Sequence, residues 1–347
     1  MWHDDWDGAR AKLEAWWEGK GCALDVRAPK DEPWEVLPIP PPPETPEQMW
    51  TDVQTRVDFQ MAQLGQLWYG GAAFPYLDTE LGPGSLGLFL GCEPGFAWNT
   101  VWYEPCLENL ETPIRMDPEN RWFQLHLDFR RRAIEAAQGR VLVGIPDLIE
   151  NLDTLAQMRG PQELMFDLVE EPDLAKQRIA EITDAFCQAF DALAVRDEWG
   201  GTCFAAFHIW SPGRCAKLQC DANTMISPAM FREFVVPELE RQAAWLDRSM
   251  FHLDGEQATV HLDALLEMPS LDAIEWTPVH HDGGDPKWYD LYRRIKAGGK
   301  RVQAIDVRPD QVMPLLDAVG PEGMFLTVWA DSEAEGRSLV RQVYGEG

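Results

Sequence analysis

The segment from residue 215 to 276 alternates short apolar runs with polar residues and helix signals. One apolar run stops at Asp221, a second stops at Asp254 and a third stops at Glu275. Between the first two runs, Ser227 is followed by proline, a pair that is typical of a helix N-terminus. Strands that alternate with helices and end in polar residues indicate a parallel sheet with its chemistry at the carboxyl ends of the strands.

The same alternation continues along most of the chain. Apolar runs of strand length lie at 72–77, 140–145, 202–207, 215–220, 248–253, 271–276, 300–305 and 323–328. Their number predicts an α/β fold of the (β/α)8 TIM-barrel type over residues 66–347. Residues 1–65 are predicted to be an N-terminal extension with a helix, a short extended piece and a crossing at 33–46. That crossing contains seven prolines, which exclude a helix or a central strand.

Composition excludes several classes of function. The net charge of −28 disfavours nucleic-acid binding, because a polyanion would be repelled. No apolar run approaches the roughly 18 residues that a membrane span needs. The acidic start MWHDDWDGAR is unlike a signal peptide, and the seven cysteines form no CxxC pair. These features predict a cytoplasmic protein with free thiols, no membrane partner and no nucleic-acid partner.

The chain has sixteen tryptophans, most of which are expected to pack in the core. A few can line a pocket for a flat or cationic ligand. Trp210, Trp276 and Trp329 are the candidates for substrate binding. His208, within AAFHIW at the end of a predicted strand, is a further candidate for substrate binding.

Three segments carry a resemblance to a known family. They are DTELGPGSLG from Asp78, GIPDLIENLDTLAQMRG from Gly144, and the region from Asp221 to Trp276. In order and spacing they resemble the uroporphyrinogen decarboxylase superfamily, which also contains corrinoid-dependent methyltransferases. The resemblance implies a TIM barrel and a catalytic role for Asp78.

The chain departs from the decarboxylases of this superfamily at the substrate pocket. Those enzymes grip substrate carboxylates with an N-terminal arginine pair, and the proline segment occupies that region here. A pocket for a polyanionic tetrapyrrole should be cationic. The pocket is instead predicted to gain acids: Asp78, Asp147, Glu150, Asp221, Asp254 and Glu275. Uroporphyrinogen decarboxylation is therefore disfavoured.

The methyltransferase branch binds zinc through a His-x-Cys pair and a distant cysteine. Here the pair reads His252-Leu253-Asp254, and no cysteine follows Cys220. Residues i and i+2 of a strand share a face, so His252 and Asp254 can still face one ion. One histidine with carboxylates suits Zn²⁺ or another divalent metal. The further ligand could be Asp221, Glu275 or Cys220. Alternatively, His252 is a hydrogen-bonded core residue and Asp254 a turn residue.

The resemblance implies a methyltransferase that moves a methyl group between a small-molecule donor or acceptor and cobalamin on a partner corrinoid protein. Asp78, Asp221 and Glu275 are then the candidate catalytic residues, and the cobalt supplies the methyl-accepting chemistry. One alternative is a cofactor-independent, decarboxylase-like lyase in which Asp78 directs a proton onto a carbanion. Another is a non-catalytic barrel that binds a small ligand.

Overall fold

Strands and helices alternate through most of the chain in the computed structural model, which describes residues 1–345. The helices are α1 (Trp6–Trp17), α2 (Pro46–Thr51), α3 (Val53–Leu64), α4 (Ser85–Phe89), α5 (Arg121–Ala137), α6 (Asn151–Arg159), α7 (Pro161–Glu170), α8 (Pro172–Leu193), α9 (Pro228–Met230), α10 (Val236–Trp245), α11 (Leu262–Glu267), α12 (Tyr289–Ala297), α13 (Pro309–Val319) and α14 (Glu333–Tyr344). The strands are β1 (Ala23–Pro29), β2 (Leu67–Gly71), β3 (Tyr76–Leu77), β4 (Glu93–Phe96), β5 (Val101–Glu104), β6 (Leu142–Ile145), β7 (Gly201–Phe204), β8 (Ile209–Pro212), β9 (Cys215–Gln219), β10 (Arg248–Asp254), β11 (Ala273–Thr277), β12 (Arg301–Ala304) and β13 (Met324–Trp329). Short 3-10 turns lie at Ala206–His208, Asp221–Met225, Glu256–His261 and Pro286–Trp288, and a π turn at Phe231–Val235 joins α9 to α10.

The strands form a mainly parallel arrangement. One sheet has the order β2-β1-β13-β12-β11-β10-β9, in which every pair except β2 with β1 is parallel. A second sheet has the order β3-β6-β7-β8, with β8 antiparallel to β7. Strands β4 and β5 form a separate antiparallel hairpin. The expectation of a mixed α/β fold with parallel strands is therefore confirmed.

The N-terminal segment contributes directly to the main sheet. The sequence indicated only a short extended piece near residue 23, whereas β1 is a full strand between β13 and β2. Helix α1 is anchored beside it, because the indole N–H of Trp16 donates to the Gly323 carbonyl at 3.1 Å and that of Trp17 to the Trp210 carbonyl at 2.9 Å. The domain boundary at residue 65 stays a prediction.

Helix packing follows the amphipathic pattern of the sequence. Helix α8 begins at Pro172, which suits a first helical turn. It buries Ile179, Ile182, Phe186 and Phe190 along one side. Each such burial contributes about 1.5–3 kcal/mol of transfer free energy. Within residues 1–345, none of the helices combines the length and apolar character that crossing a bilayer would require.

Candidate functional site

A row of polar side chains crosses four neighbouring strands near their carboxyl ends. Gln219 of β9 lies opposite His252 of β10, which lies opposite Glu275 of β11, which lies opposite Gln303 of β12. Residues paired across parallel strands point to the same face of the sheet. Glu275 and Gln303 are fully buried, and Gln219 is 3% exposed. The fold therefore places four adjacent polar groups where the sequence shows strands ending.

His252 and Glu275 form the centre of this row. The ring Nδ1 lies 2.5 Å from Glu275 Oε2, and the Thr277 hydroxyl donates to Glu275 Oε1 at 2.7 Å. Burial raises the pKa of the Glu275 carboxyl. Burial opposes protonation of His252, but the charge and hydrogen bond of Glu275 raise its pKa above the ordinary value. With Nδ1 held by a carboxylate, Nε2 is left for a ligand, as in metal-binding histidines.

Three side chains beside this row form a candidate metal centre. Asp221, His252 and Asp254 each offer one ligand atom, and these atoms lie within 4.8 Å of one another. The imidazole is largely buried, with 11% of the side chain exposed. One imidazole with two carboxylates is a donor set that zinc and harder divalent ions accept. Of the three further ligands that the sequence left open, Asp221 joins the cluster, while Glu275 holds the histidine ring.

Helix α6 fixes the position of Asp221. The Asp153 carboxylate accepts the backbone N–H of Asp221 at 2.7 Å and that of Ala222 at 2.8 Å. The Gln219 amide donates to Asp221 Oδ2 at 2.9 Å. Burial, together with the nearby charge of Asp153, raises the pKa of Asp221 to about 6. A bound cation would offset this repulsion between the two carboxylates.

A buried lysine continues the network away from the candidate metal centre. Lys217 Nζ lies 2.8 Å from Asp147 Oδ1, and it also donates to the Gln219 side-chain oxygen. Glu150 Oε1 accepts the backbone N–H of Gln219 at 2.8 Å, and burial raises the pKa of Glu150 to about 8. Sequence reasoning missed Lys217, Gln219 and Asp153. The first two had a signal, since polar residues recur at every second position from 217 to 221.

A cleft of about 590 Å³ opens onto the site. This volume falls within the range of small-molecule pockets. Residues that line it include Trp102, Tyr103, Phe207, Asp147, Asp221 and His252. The Phe207 ring lies 4.6 Å from the His252 ring, and its carbonyl accepts the Gln303 amide at 2.7 Å. Among the described residues that line this cleft, none is Arg or Lys.

Other candidates from the sequence lie around neighbouring clefts. Asp78 directly follows β3, its carboxylate accepts the Glu80 backbone N–H at 2.9 Å, and burial raises its pKa. It lines a cleft of about 640 Å³ together with Trp329. His208 Nδ1 lies 3.1 Å from Asp25 Oδ2, in a cleft of about 330 Å³ that also includes Trp329. Both of these clefts share Arg27, which sequence reasoning did not single out.

The three candidate tryptophans have different surroundings. Trp210 is 1% exposed, and its indole N–H donates to Asp197 Oδ2 at 2.7 Å. Trp276 is fully buried, with its ring centroid 4.9 Å from that of Trp288. Both residues therefore pack in the core. Their role in substrate binding stays a prediction. Trp329 is 55% exposed and available at the surface.

The comparisons with known proteins concern the fold. No protein-family model matches the chain, and no curated protein sequence does. The solved structure of a methyltransferase from Methanosarcina mazei is similar to it, with a TM-score of 0.59 and 12% sequence identity. The similarity covers 97% of this chain and 98% of that chain. At this identity it shows a shared fold over nearly the whole length of both proteins.

Proposed function

We propose that the protein is a metal-assisted methyltransferase that moves a methyl group between a small methylated compound and a corrinoid protein. The cluster of Asp221, His252 and Asp254 carries this proposal. In the sequence resemblance, His252 and Asp254 stand where the corrinoid-dependent methyltransferases have their His-x-Cys zinc pair. The fold shared with a methyltransferase over 97% of the chain supports the same assignment.

The proposal includes closure of the two sheets into a (β/α)8 barrel. Two contacts support it. The Cys215 backbone N–H at the start of β9 donates to the Thr202 hydroxyl of β7 at 3.0 Å. The Arg27 guanidinium of β1 lies 5.4 Å from the ring centroid of Tyr76 in β3. In a closed barrel the candidate metal centre lies at the carboxyl-terminal mouth, where such folds carry their active sites.

The roles of the residues follow from their chemistry. A divalent metal held by Asp221, His252 and Asp254 would act as a Lewis acid toward the heteroatom that carries the methyl group. Glu275 fixes the imidazole orientation and keeps Nδ1 occupied. A donor set with carboxylates in place of thiolates is harder, so we expect weaker zinc binding and tolerance of other divalent ions.

The walls of the cleft suggest the class of methylated compound. Trp102, Tyr103 and Phe207 supply aromatic faces, whereas Asp147 is paired with Lys217 and Asp221 belongs to the candidate metal centre. Aromatic faces favour a cationic or aromatic methylated compound. The described lining residues include no Arg or Lys that could pair with substrate carboxylates, which argues against a polycarboxylate substrate.

Elemental analysis tests the metal centre. Protein prepared without chelator and offered Zn²⁺, Mn²⁺ or Co²⁺ should carry one metal per chain, and His252→Ala should carry none. His281→Ala is the matched control, because that histidine is exposed and its Nδ1 lies 2.9 Å from Asp306 Oδ2. Absence of stoichiometric metal in the native protein would show that the ligand assignment is wrong.

Activity is tested with free cob(I)alamin as a surrogate acceptor. A panel of methylated amines, thiols and phenols is offered, and formation of methylcobalamin is followed by its absorbance. Metal-dependent transfer supports the proposal. Metal binding without transfer from any donor would favour a non-catalytic barrel. Release of CO₂ from a carboxylated compound, lost in Asp78→Asn and indifferent to metal, would favour the cofactor-free lyase.

A further inference from the structure

Two cysteines meet at the base of the β4–β5 hairpin. Cys92 directly precedes β4, and Cys106 lies two residues after the end of β5. Their sulfur atoms are 3.4 Å apart. Glu93 and Glu104 are the first paired residues of the hairpin ladder. The two sulfurs therefore lie just outside the open end of the hairpin, where the chain enters β4 and leaves β5.

The surroundings hold this pair in place. The Cys92 backbone N–H donates to the Gly87 carbonyl at 3.0 Å, and the Cys106 backbone N–H donates to the Met158 carbonyl at 2.8 Å. Each cysteine is therefore tied to a different helix, α4 or α6. A disulfide bond requires the two sulfurs to approach from 3.4 Å to roughly 2.05 Å.

The two thiols differ in access and acidity. Cys92 is 1% exposed, whereas Cys106 is exposed. The hydrogen bond from the Cys92 thiol lowers the pKa of Cys106, while that same contact and burial raise the pKa of Cys92. An accessible, more acidic thiol beside a shielded one is the arrangement found in peroxide-sensitive cysteine pairs.

We propose that Cys92 and Cys106 form a reversible, peroxide-sensitive disulfide at the rim of the active-site cleft. The Cys106 thiolate attacks one oxygen of hydrogen peroxide and becomes a sulfenic acid. The displaced hydroxide is protonated to water. The Cys92 thiol then attacks that sulfur and displaces a second water, leaving the disulfide. The peroxide is reduced by two electrons and the two thiols are oxidised by two, and a small thiol reductant reverses the change.

The disulfide acts on the wall of the cleft. Val101, Trp102 and Tyr103 of β5 and the following Pro105 all line the cavity that leads to His252. Cross-linking the base of the hairpin restricts how far these residues can move relative to α4 and α6. Oxidation therefore reduces the mobility of the cleft wall without changing any candidate metal ligand.

Mass spectrometry of the full chain tests the proposal. Reduced protein is treated with hydrogen peroxide, and the remaining thiols are then blocked with iodoacetamide. A mass loss of about 2 Da, for two hydrogen atoms, is expected before blocking. Chymotrypsin cuts between the cysteines, after Phe96 and Tyr103, so the disulfide appears as two joined peptides. Dithiothreitol should separate them.

Variants and an internal control decide between outcomes. Cys106→Ser, at an exposed position, should fold and yield no joined peptides, and Cys92→Ala should leave Cys106 to gain oxygen atoms instead. Cys187, whose pKa burial raises to about 11, should remain fully alkylated.

Slower hydrogen exchange of the hairpin amides in the oxidised protein is the second expected result. Oxygen addition at Cys106 in the native chain without cross-linking, or oxidation of Cys187 at an equal rate, would overturn the proposal. None of these readouts depends on the metal or on methyl transfer.

Discussion

Replacing Lys217 by methionine tests how much the buried charge network contributes to the site. The Lys217 side chain is fully buried, and its Nζ lies 2.8 and 2.9 Å from the two Asp147 oxygens. Methionine has a similar length and no charge, so the change deletes the cation with little loss of volume. Asp147 then loses its buried partner, and Glu150 loses a nearby positive charge.

The magnitude follows from the burial of the pair. Removing one partner of a buried ion pair costs about 3–5 kcal/mol, because the remaining charge stays desolvated. A typical free energy of unfolding is about 5–15 kcal/mol, so the loss is a large share of the total. Burial raises the pKa of Glu150 and of Asp153, and Lys217 lowers both. Without Lys217 these folded-state pKa values rise further above those of the unfolded chain. A carboxyl with a raised folded pKa costs stability as pH rises until it ionises in the folded state. Glu150 stays protonated in both proteins below about pH 8, so Asp153 is the carboxyl expected to make the deficit grow from pH 5 to pH 8.

Urea unfolding at pH 5, 7 and 8 provides the measurement. Lys217→Met should lower the midpoint at an unchanged slope, and Lys217→Met with Asp147→Leu should recover much of the loss. Lys20→Met is the matched control, because Lys20 is 72% exposed and should change stability by less than about 0.5 kcal/mol. A loss below about 1 kcal/mol, or one that does not change with pH, would refute the reasoning.

Three further outcomes are expected. Glu275→Gln should weaken metal binding by about 10- to 100-fold in calorimetry, because the His252 ring keeps its place but loses its charged partner. An unchanged affinity would contradict the role of Glu275. His126 is fully buried with a pKa lowered to about 4 by burial, so its own contribution to stability should fall by about 3 kcal/mol as pH drops from 6.5 to 4. The reason is that the unfolded chain takes the proton that the fold resists. His126→Gln should flatten that part of the unfolding profile, and an equally steep profile would count against it. Gly283→Ala should lower the unfolding midpoint, since a Cβ there would lie 2.1 Å from a backbone oxygen. Gly95→Ala should lower it less, because its nearest contact would be at 3.8 Å. Equal midpoints would contradict this packing argument.

Local pattern explains which parts of the site could be predicted from the sequence. Strands β9, β10 and β11 were recognisable because each is an apolar run that ends in a polar residue. His252 and Asp254 could be paired because the two-residue period of a strand is a local property. The choice of Asp221 as the third ligand, with Glu275 behind His252, depends on register between strands that lie about 20 residues or more apart. Hydrophobic pattern within one strand does not contain that information.

Non-local pairing also explains what sequence reasoning missed. Strand β1 is short and is flanked by a helix and a proline segment, and its partner β13 lies near the other end of the chain. Lys217 and Gln219 stand within an apolar run, where a polar side chain is readily assigned to the outer face. Only the three-dimensional placement of Asp147, Glu150 and Asp153 shows that they point inward to a charge network.

The position of β1 has a consequence for how the protein is made. Ala23 pairs with Phe325, so a strand that leaves the ribosome early must wait for a partner encoded about 300 residues later. At a synthesis rate of about 5–20 residues per second, that delay is roughly 15–60 s. During this time the apolar side of β1 and the tryptophans of α1 lack part of their final packing. Production of this chain should therefore depend strongly on translation speed and on chaperones that cover the nascent N-terminal segment.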